Sequence, residues 1–304
     1  MIESNNAFYL FQTRMNEIII YCDSIPHSHA KKITTIDRLK NFKEVETYSG
    51  DMTKHSRRRM KRTIECLYMI TKRQRVYNRA INKFTWFRLS HLTLTLSSAQ
   101  ENITDREINK QVLQPFLRDC KRKLGMKEYV WKAEKQKNGN IHYHIISDLF
   151  GDIPLIRKFW NNHQNTLKLI DKFDSIHGHN NPNSIDIHYV KTDTALVKYL
   201  MKYLGKNEKK DLVIDGKVWD CSSLLKKFKY YSTDLSGSEM TELTNSLKTI
   251  QHRQYNSDYF SILQFPNSNY IKSMPAPLQL QHTTQYNDLL NINSSTGIQP
   301  NINF

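Results

Sequence analysis

An α+β fold, with a central antiparallel β-sheet flanked by helices, follows from three observations on the sequence. From Trp86 onward, short β-branched and aromatic runs recur at residues 91–96, 129–134, 141–146 and 184–190, the composition of half-buried strands. Asn138-Gly139, a strong hairpin turn signal, joins the second run to the third and makes that pair antiparallel. Helical periodicity fills residues 104–124, 154–161 and 194–206 between and after them, so strands and helices share one layered core.

Taken in order, residues 1–84 read as a mostly helical, basic region with little sign of a core of its own. Between Gly50 and Ala80 ten cations, Lys54, Arg57, Arg58, Arg59, Lys61, Arg62, Lys72, Arg73, Arg75 and Arg79, stand against Asp51 and Glu65. Ile64, Leu67, Ile70 and Val76, with Tyr68 and Tyr77, suit helical faces better than strand alternation. Of these cations Arg57, Arg58, Arg59, Lys61, Arg62, Arg73 and Arg75 are the candidates for tracking a nucleic-acid backbone. A solvated helix face is the competing reading.

Residues 85–235 form the predicted α+β domain. His91–Leu96 begins it, and Thr104 or Asp105 caps the helix that follows. Asp215–Ser222 reads as a turn and short strand that closes it. Trp160 and Trp219 read as core anchors. Residues 236–304 are rich in Asn, Gln and Ser and are expected to be partly flexible.

The chemistry concentrates in two places. Alternation along Ile141-His142-Tyr143-His144-Ile145 puts His142 and His144 on one face, half of a metal site. Glu134, on the preceding strand, is the candidate third ligand, but register decides. A two-residue Asn-Gly loop pairs Ala133 with His144 and turns Glu134 away; a three-residue loop or a bulge brings Glu134 to the imidazole face, opposite His144, with Gln136 beside it. Two histidines and a carboxylate suit a divalent ion that activates a phosphodiester. Two half-buried strand histidines are the plainer alternative. His177 and His179 read as loop residues, and His188 shares a strand face with Asp186.

The second place is Thr194–Lys206, with Thr192, Asp193 or Thr194 as N-cap and Gly205 near the end. Tyr199 and Tyr203 share one helical face, with Lys198, Lys202 and Lys206 as a neighbouring stripe. A tyrosine nucleophile must lose its proton and then hold a phosphate, and nearby ammonium groups favour both. An ordinary amphipathic helix accounts for the same pattern.

Together these residues resemble the HUH endonuclease superfamily, within it the two-tyrosine rolling-circle replication initiators of small single-stranded DNA phages and plasmids. His91-Leu92-Thr93-Leu94-Thr95-Leu96 looks like the first motif, with His91 where an aromatic residue is usual. Gly139–His144 is similar to the second, and Tyr199–Lys206 to the third; the likeness spans roughly residues 85–235. It implies that Tyr199 or Tyr203 attacks an origin phosphodiester and forms a 5′-phosphotyrosine, the freed 3′-OH priming a host polymerase. The second tyrosine would later cut and rejoin the strand. It further implies that Lys202 and Lys206 orient phosphate, that His142, His144 and Glu134 hold Mg²⁺ or Mn²⁺, and that a host helicase takes part. An HUH relaxase or single-strand transposase, and a non-catalytic origin-binding regulator, are the alternatives.

Net charge agrees with a polyanionic partner: +16 over 304 residues and an isoelectric point near 9.5. No Gly-x-x-x-x-Gly-Lys-Ser/Thr sequence occurs, in keeping with religation without ATP and with no small-molecule cofactor. No apolar run approaches the roughly 18 residues of a membrane span, and Met1–Asn6 does not begin a secretory signal. Cys22, Cys66, Cys120 and Cys221 lack Cys-x-x-Cys spacing and suit a reducing compartment. A bacterial host cytoplasm is the expected location.

Overall fold

The computed structural model describes residues 9–14, 17–22, 52–78, 82–190, 213–228, 230–256, 260–266 and 268–294. The chain groups into two compact units, residues 1–47 with 228–292, and residues 48–227 with 293–304. Strands in chain order are β1 (Tyr9–Thr13), β2 (Glu17–Cys22), β3 (Gln74–Asn78), β4 (Lys83–Phe87), β5 (Leu89–Leu94), β6 (Tyr129–Lys135), β7 (Ile141–Ser147), β8 (Ile185–Val190), β9 (Trp219–Cys221), β10 (Ser232–Leu235), β11 (Arg253–Asn256) and β12 (Phe260–Gln264). The α-helices are α1 (Lys54–Ile70), α2 (Asp105–Ile108), α3 (Gln114–Lys123), α4 (Ile153–Gln164), α5 (Leu169–His177), α6 (Ser223–Lys227), α7 (Gly237–Leu247) and α8 (Ala276–Ser294). The fold is α+β with antiparallel sheets and flanking helices, as the alternating sequence pattern predicts.

The larger unit is built on a five-stranded sheet of order β8-β5-β7-β6-β9, antiparallel at every pairing. Its two faces differ in chemistry. Leu92, Leu94, Tyr143, Ile145, Trp131 and Ala133 are buried and alternate onto one face, covered by the helices between Thr104 and Gln164. There Trp160 lies edge-on to Phe116 at 5.3 Å and to Tyr143 at 6.4 Å, and Trp131 to Tyr143 at 5.8 Å. Trp160 Nε1 donates to the Thr95 carbonyl, 2.9 Å, so this core anchor carries its own polar partner.

The helix after β5 starts as predicted at Thr104, whose hydroxyl accepts from the Glu107 amide while Glu107 reaches back to Thr104, a full capping box. A five-residue π-helical stretch, Asn109–Leu113, separates α2 from α3. Helix α1 bears out the basic helical segment. Met60, Ile64 and Leu67 are buried, whereas Arg58, Arg59, Lys61 and Arg62 are exposed.

Two expectations for the first 84 residues need correction. Residues 9–13 and 17–22 are strands, not helix: Phe11, Ile18 and Ile20 are buried in a second sheet of order β10-β1-β2-β12-β11. Residues 74–78, read as a continuation of the basic helix, form β3, paired in full with β4 from Gln74↔Phe87 to Asn78↔Lys83. Thr71 ends α1 in an extended conformation, which frees the next residues to pair.

The second sheet also corrects the reading of the polar C-terminal stretch as partly flexible. Its few apolar residues are core: Leu243, Leu247, Leu263, Phe265, Tyr270 and Leu278 are all buried. Helix α7 has a capping box between Ser236 and Glu239, and β12 pairs with β2 from Phe260↔Tyr21 to Gln264↔Glu17. Asn, Gln and Ser dominate the composition because they occupy the exposed positions of regular elements.

Candidate catalytic face of the central sheet

The face of the central sheet opposite α2–α4 carries a row of polar side chains. Register fixes the row: Glu134 stands across from His142 and Lys132 from His144 on β6 and β7, Thr93 from His144 on β5, and His91 from His188 on β8. His142, His144 and Glu134 therefore share one face.

The loop between β6 and β7 sets this register. Gln136 N donates to the Asn140 carbonyl, 2.9 Å, and Gly139 N to the Gln136 carbonyl, 3.0 Å, so three residues, 137–139, make the turn. Gly139 has φ +85°, the left-handed position that ends a three-residue hairpin loop. The odd loop length brings Glu134 to the imidazole face as the sequence required, but opposite His142 rather than His144.

A polar network holds the start of β7. The Ile141 amide donates to Gln100 Oε1 at 2.8 Å and Asn140 Nδ2 to the Ser98 carbonyl at 3.0 Å. Lys135 Nζ reaches Asp105 at 2.6 Å and the Gly139 carbonyl at 2.9 Å.

Both ligand candidates have Nδ1 turned toward β5. His142 Nδ1 lies 3.2 Å from Thr95 Oγ1; His144 Nδ1 lies 3.3 Å from His91 Nε2 and 3.4 Å from Thr93 Oγ1. His144 Nε2, the opposite ring nitrogen, faces Glu134 Oε2 at 3.4 Å. Fixing one ring nitrogen to aim the other is how proteins orient metal-binding histidines. His91, Thr93 and Thr95 are thus orienting residues that the sequence showed only as part of a strand motif. Their alternate spacing was the available signal.

Glu134 also pairs with the buried Lys132, Nζ to Oε1 2.9 Å. Burial pushes the Glu134 carboxyl upward, but its hydrogen bond with His144 and the charge and bond of Lys132 outweigh this and hold it at about 2. A carboxylate fixed in its charged form, with two imidazoles on the same face, is a donor set of the kind divalent metals take. As placed, Glu134 turns to Lys132 and His144, and among the described residues no group of three His, Cys, Asp or Glu side chains is arranged to hold a metal ion.

The remaining candidates divide. Tyr199, Lys202, Tyr203 and Lys206 lie outside the described residues. Arg57, Arg58, Arg59, Lys61 and Arg62 ride on α1, where Arg57 Nε donates to the Met52 carbonyl at 3.2 Å. Arg59 lies over the Trp219 ring at 6.0 Å, and Trp219 Nε1 bonds Ser56 Oγ at 2.6 Å, so Trp219 joins α1 to the β9 edge of the sheet. Arg73 leads into β3 and Arg75 lies within it. His188 pairs with Asp186 at 2.8 Å, and its ring stacks with His91, centroids 6.5 Å apart. His177 and His179 pack on Phe173, at 4.3 and 5.1 Å.

No helix among the described residues is long and apolar enough to cross a membrane. Searches of curated proteins and of solved structures returned no significant match to the chain. A family model does match: residues 90–208, about two fifths of the chain, are similar to the replication-associated protein family of ORF2 and gene 2 proteins. That stretch runs from the His91 strand through the hairpin of His142 and His144 to the tyrosine segment, and the match supports a replication-initiator role.

Proposed function

We propose that this protein initiates rolling-circle replication as an HUH-type endonuclease of the two-tyrosine kind, cutting single-stranded origin DNA in a bacterial host cytoplasm. The observation that carries the reading is the register of β6 and β7, which gathers Glu134, His142 and His144 on one sheet face. The family likeness over residues 90–208 supports it.

In the proposed reaction the phenolate oxygen of Tyr199 or Tyr203 attacks the scissile phosphorus. A phosphotyrosine bond forms to the 5′ side, the P–O3′ bond breaks, and the departing oxygen takes a proton to become a 3′-OH that primes host polymerase. The reverse displacement, by a free 3′-OH on the phosphotyrosine, reseals the strand. Lys202 and Lys206 balance the negative charge that builds on the phosphate. His142, His144 and Glu134 would hold Mg²⁺ or Mn²⁺, which supplies polarisation of a non-bridging phosphate oxygen. His91, Thr93 and Thr95 keep the two imidazoles oriented. Exposed cations of α1, and Arg73 and Arg75, contact the DNA backbone, and a host helicase opens the duplex ahead of synthesis.

The test is denaturing electrophoresis of protein with labelled single-stranded origin-region DNA, with Mn²⁺ or with chelator. A covalent adduct that needs metal, and is lost when Tyr199→Phe and Tyr203→Phe are combined, is the expected result. Tight binding with no adduct under any metal overturns the nuclease and leaves an origin-binding regulator. Transfer of the cut end to an unrelated target instead of resealing marks a transposase.

A further inference from the structure

The β3–β4 hairpin carries an exposed aromatic face that the proposed chemistry does not use. Arg75 pairs with Trp86 and Tyr77 with Phe84 across the two strands, so these four side chains project to the same side. Large rings are normally buried, yet Tyr77, Phe84 and Trp86 are 45, 55 and 56 % exposed. Tyr77 and Phe84 meet edge to face at 5.2 Å, and the Arg75 guanidinium lies over Phe84 at 4.2 Å. The Tyr77 hydroxyl bonds Asn82, which steadies the outer end of the hairpin.

Charge selects the occupant. From Lys72 to Arg88 there is no Asp or Glu, and Lys72, Arg73, Arg75, Arg79, Lys83 and Arg88 are all basic. Rings interleaved with cations and free of acidic residues match a partner with π-faces on a polyanionic backbone, and single-stranded DNA is such a partner. An apolar protein surface would match the rings and leave the cations unpaired. The base of the hairpin is firmly set. Phe87 is buried against Tyr189 at 4.7 Å, the Arg88 amide bonds the Val190 carbonyl at 3.2 Å, and its guanidinium bonds the Tyr68 carbonyl at 3.0 Å. Strand β4 then runs almost directly into β5, so Trp86 and His91 are at most about 18 Å apart along the chain.

We infer that Tyr77, Phe84 and Trp86 form a stacking platform on which the bases of single-stranded DNA lie, with Arg75 and its basic neighbours on the phosphates. The platform shares its partner with the proposed function but does not depend on cutting.

The experiment uses the full chain carrying Tyr199→Phe and Tyr203→Phe, so that binding is read without cleavage. Affinity is measured by fluorescence anisotropy for an oligothymidylate and for an abasic oligonucleotide of equal length and charge. The platform predicts clear preference for the base-bearing strand, and its reduction by about tenfold for each of Trp86→Ala and Phe84→Ala. It also predicts near-normal preference in Trp86→Phe, and tryptophan quenching on binding that Trp86→Ala removes. Equal binding of the two oligonucleotides, or a preference untouched in the Phe84→Ala/Trp86→Ala protein, overturns the inference. So does conversion of a dimer to a monomer by that pair of substitutions with DNA preference intact, since the patch then belongs to a second copy. A missing adduct in the electrophoresis above, with stacking preserved here, removes the nuclease and keeps the platform.

Discussion

Glu134 faces His142 across the β6–β7 ladder yet bonds to its diagonal neighbour His144 and to Lys132 on its own strand. Lys132 is 4 % exposed, so the Glu134 carboxylate supplies countercharge to an ammonium that water scarcely reaches. Glu134→Gln should destabilise the protein by about 3 kcal/mol, because removing one member of a buried pair strands the other. Lys132→Met combined with Glu134→Leu should recover most of that loss. Urea denaturation of the three proteins checks both; a neutral Glu134→Gln would show the pair to be solvated.

Gly139 tests the register. Nothing lies within 4 Å of a Cβ added there, so substitution meets only the backbone strain of φ +85°. Gly139→Ala should cost about 1 kcal/mol, and Gly139→Asn less. Thermal melts give the cost, and the Glu134–His142 cross-strand nuclear Overhauser contact reports whether the register survives.

His282 makes the smaller unit acid-sensitive. Its ring is buried against Tyr231, centroids 5.6 Å apart, and burial lowers its pKa from the ordinary 6.5 to about 4. A histidine held neutral in the fold binds its proton more readily when unfolded. Its stabilising effect is therefore full above pH 6.5 and lost as pH falls toward 4, about 3 kcal/mol in all. Hydrogen exchange at β2 and β12 amides should quicken over that window, and His282→Leu should flatten the dependence.

The exposed cations of α1 should dominate the salt response. Replacing Arg58, Arg59, Lys61 and Arg62 by Gln should lower the slope of log affinity against log salt on single-stranded DNA by about 3, at roughly 0.7 per phosphate contact. These side chains lie on the solvent side of α1, so melting temperature should hold. An unchanged slope with equal affinity would remove α1 from the DNA path.

Local signals were the legible part. The Thr104 cap, the alternation around His142 and His144 and the turn at Gly139 are written within a few residues of where they act, and each is found in place. Long-range pairing was not. Ile18 and Ile20 become a buried strand only because β12, more than 200 residues away, lies beside β2. Arg75 and Tyr77 look helical until β4 supplies Trp86 and Phe84 as cross-strand neighbours. The roles of His91, Thr93 and Thr95 likewise needed the β5–β7 register, since no spacing within one strand says which imidazole nitrogen it meets. Tyr199 and Tyr203 stay where the sequence left them, outside the described residues.

The π-helical stretch at Asn109–Leu113 acts as a phase shifter. Ile108, Val112, Leu113, Phe116, Leu117 and Cys120 are all buried, a pattern that drifts around a uniform α-helix with its roughly 3.6 residues per turn. One surplus residue in the wide turn resets the rotation by about 100°, so that the segment capped at Thr104 and the segment ending at Lys123 aim apolar sides the same way. Trimming a residue at Lys123 would merely shorten the helix, whereas excising one inside the wide turn would rotate Phe116 away from Trp160 while Ile108 stayed put.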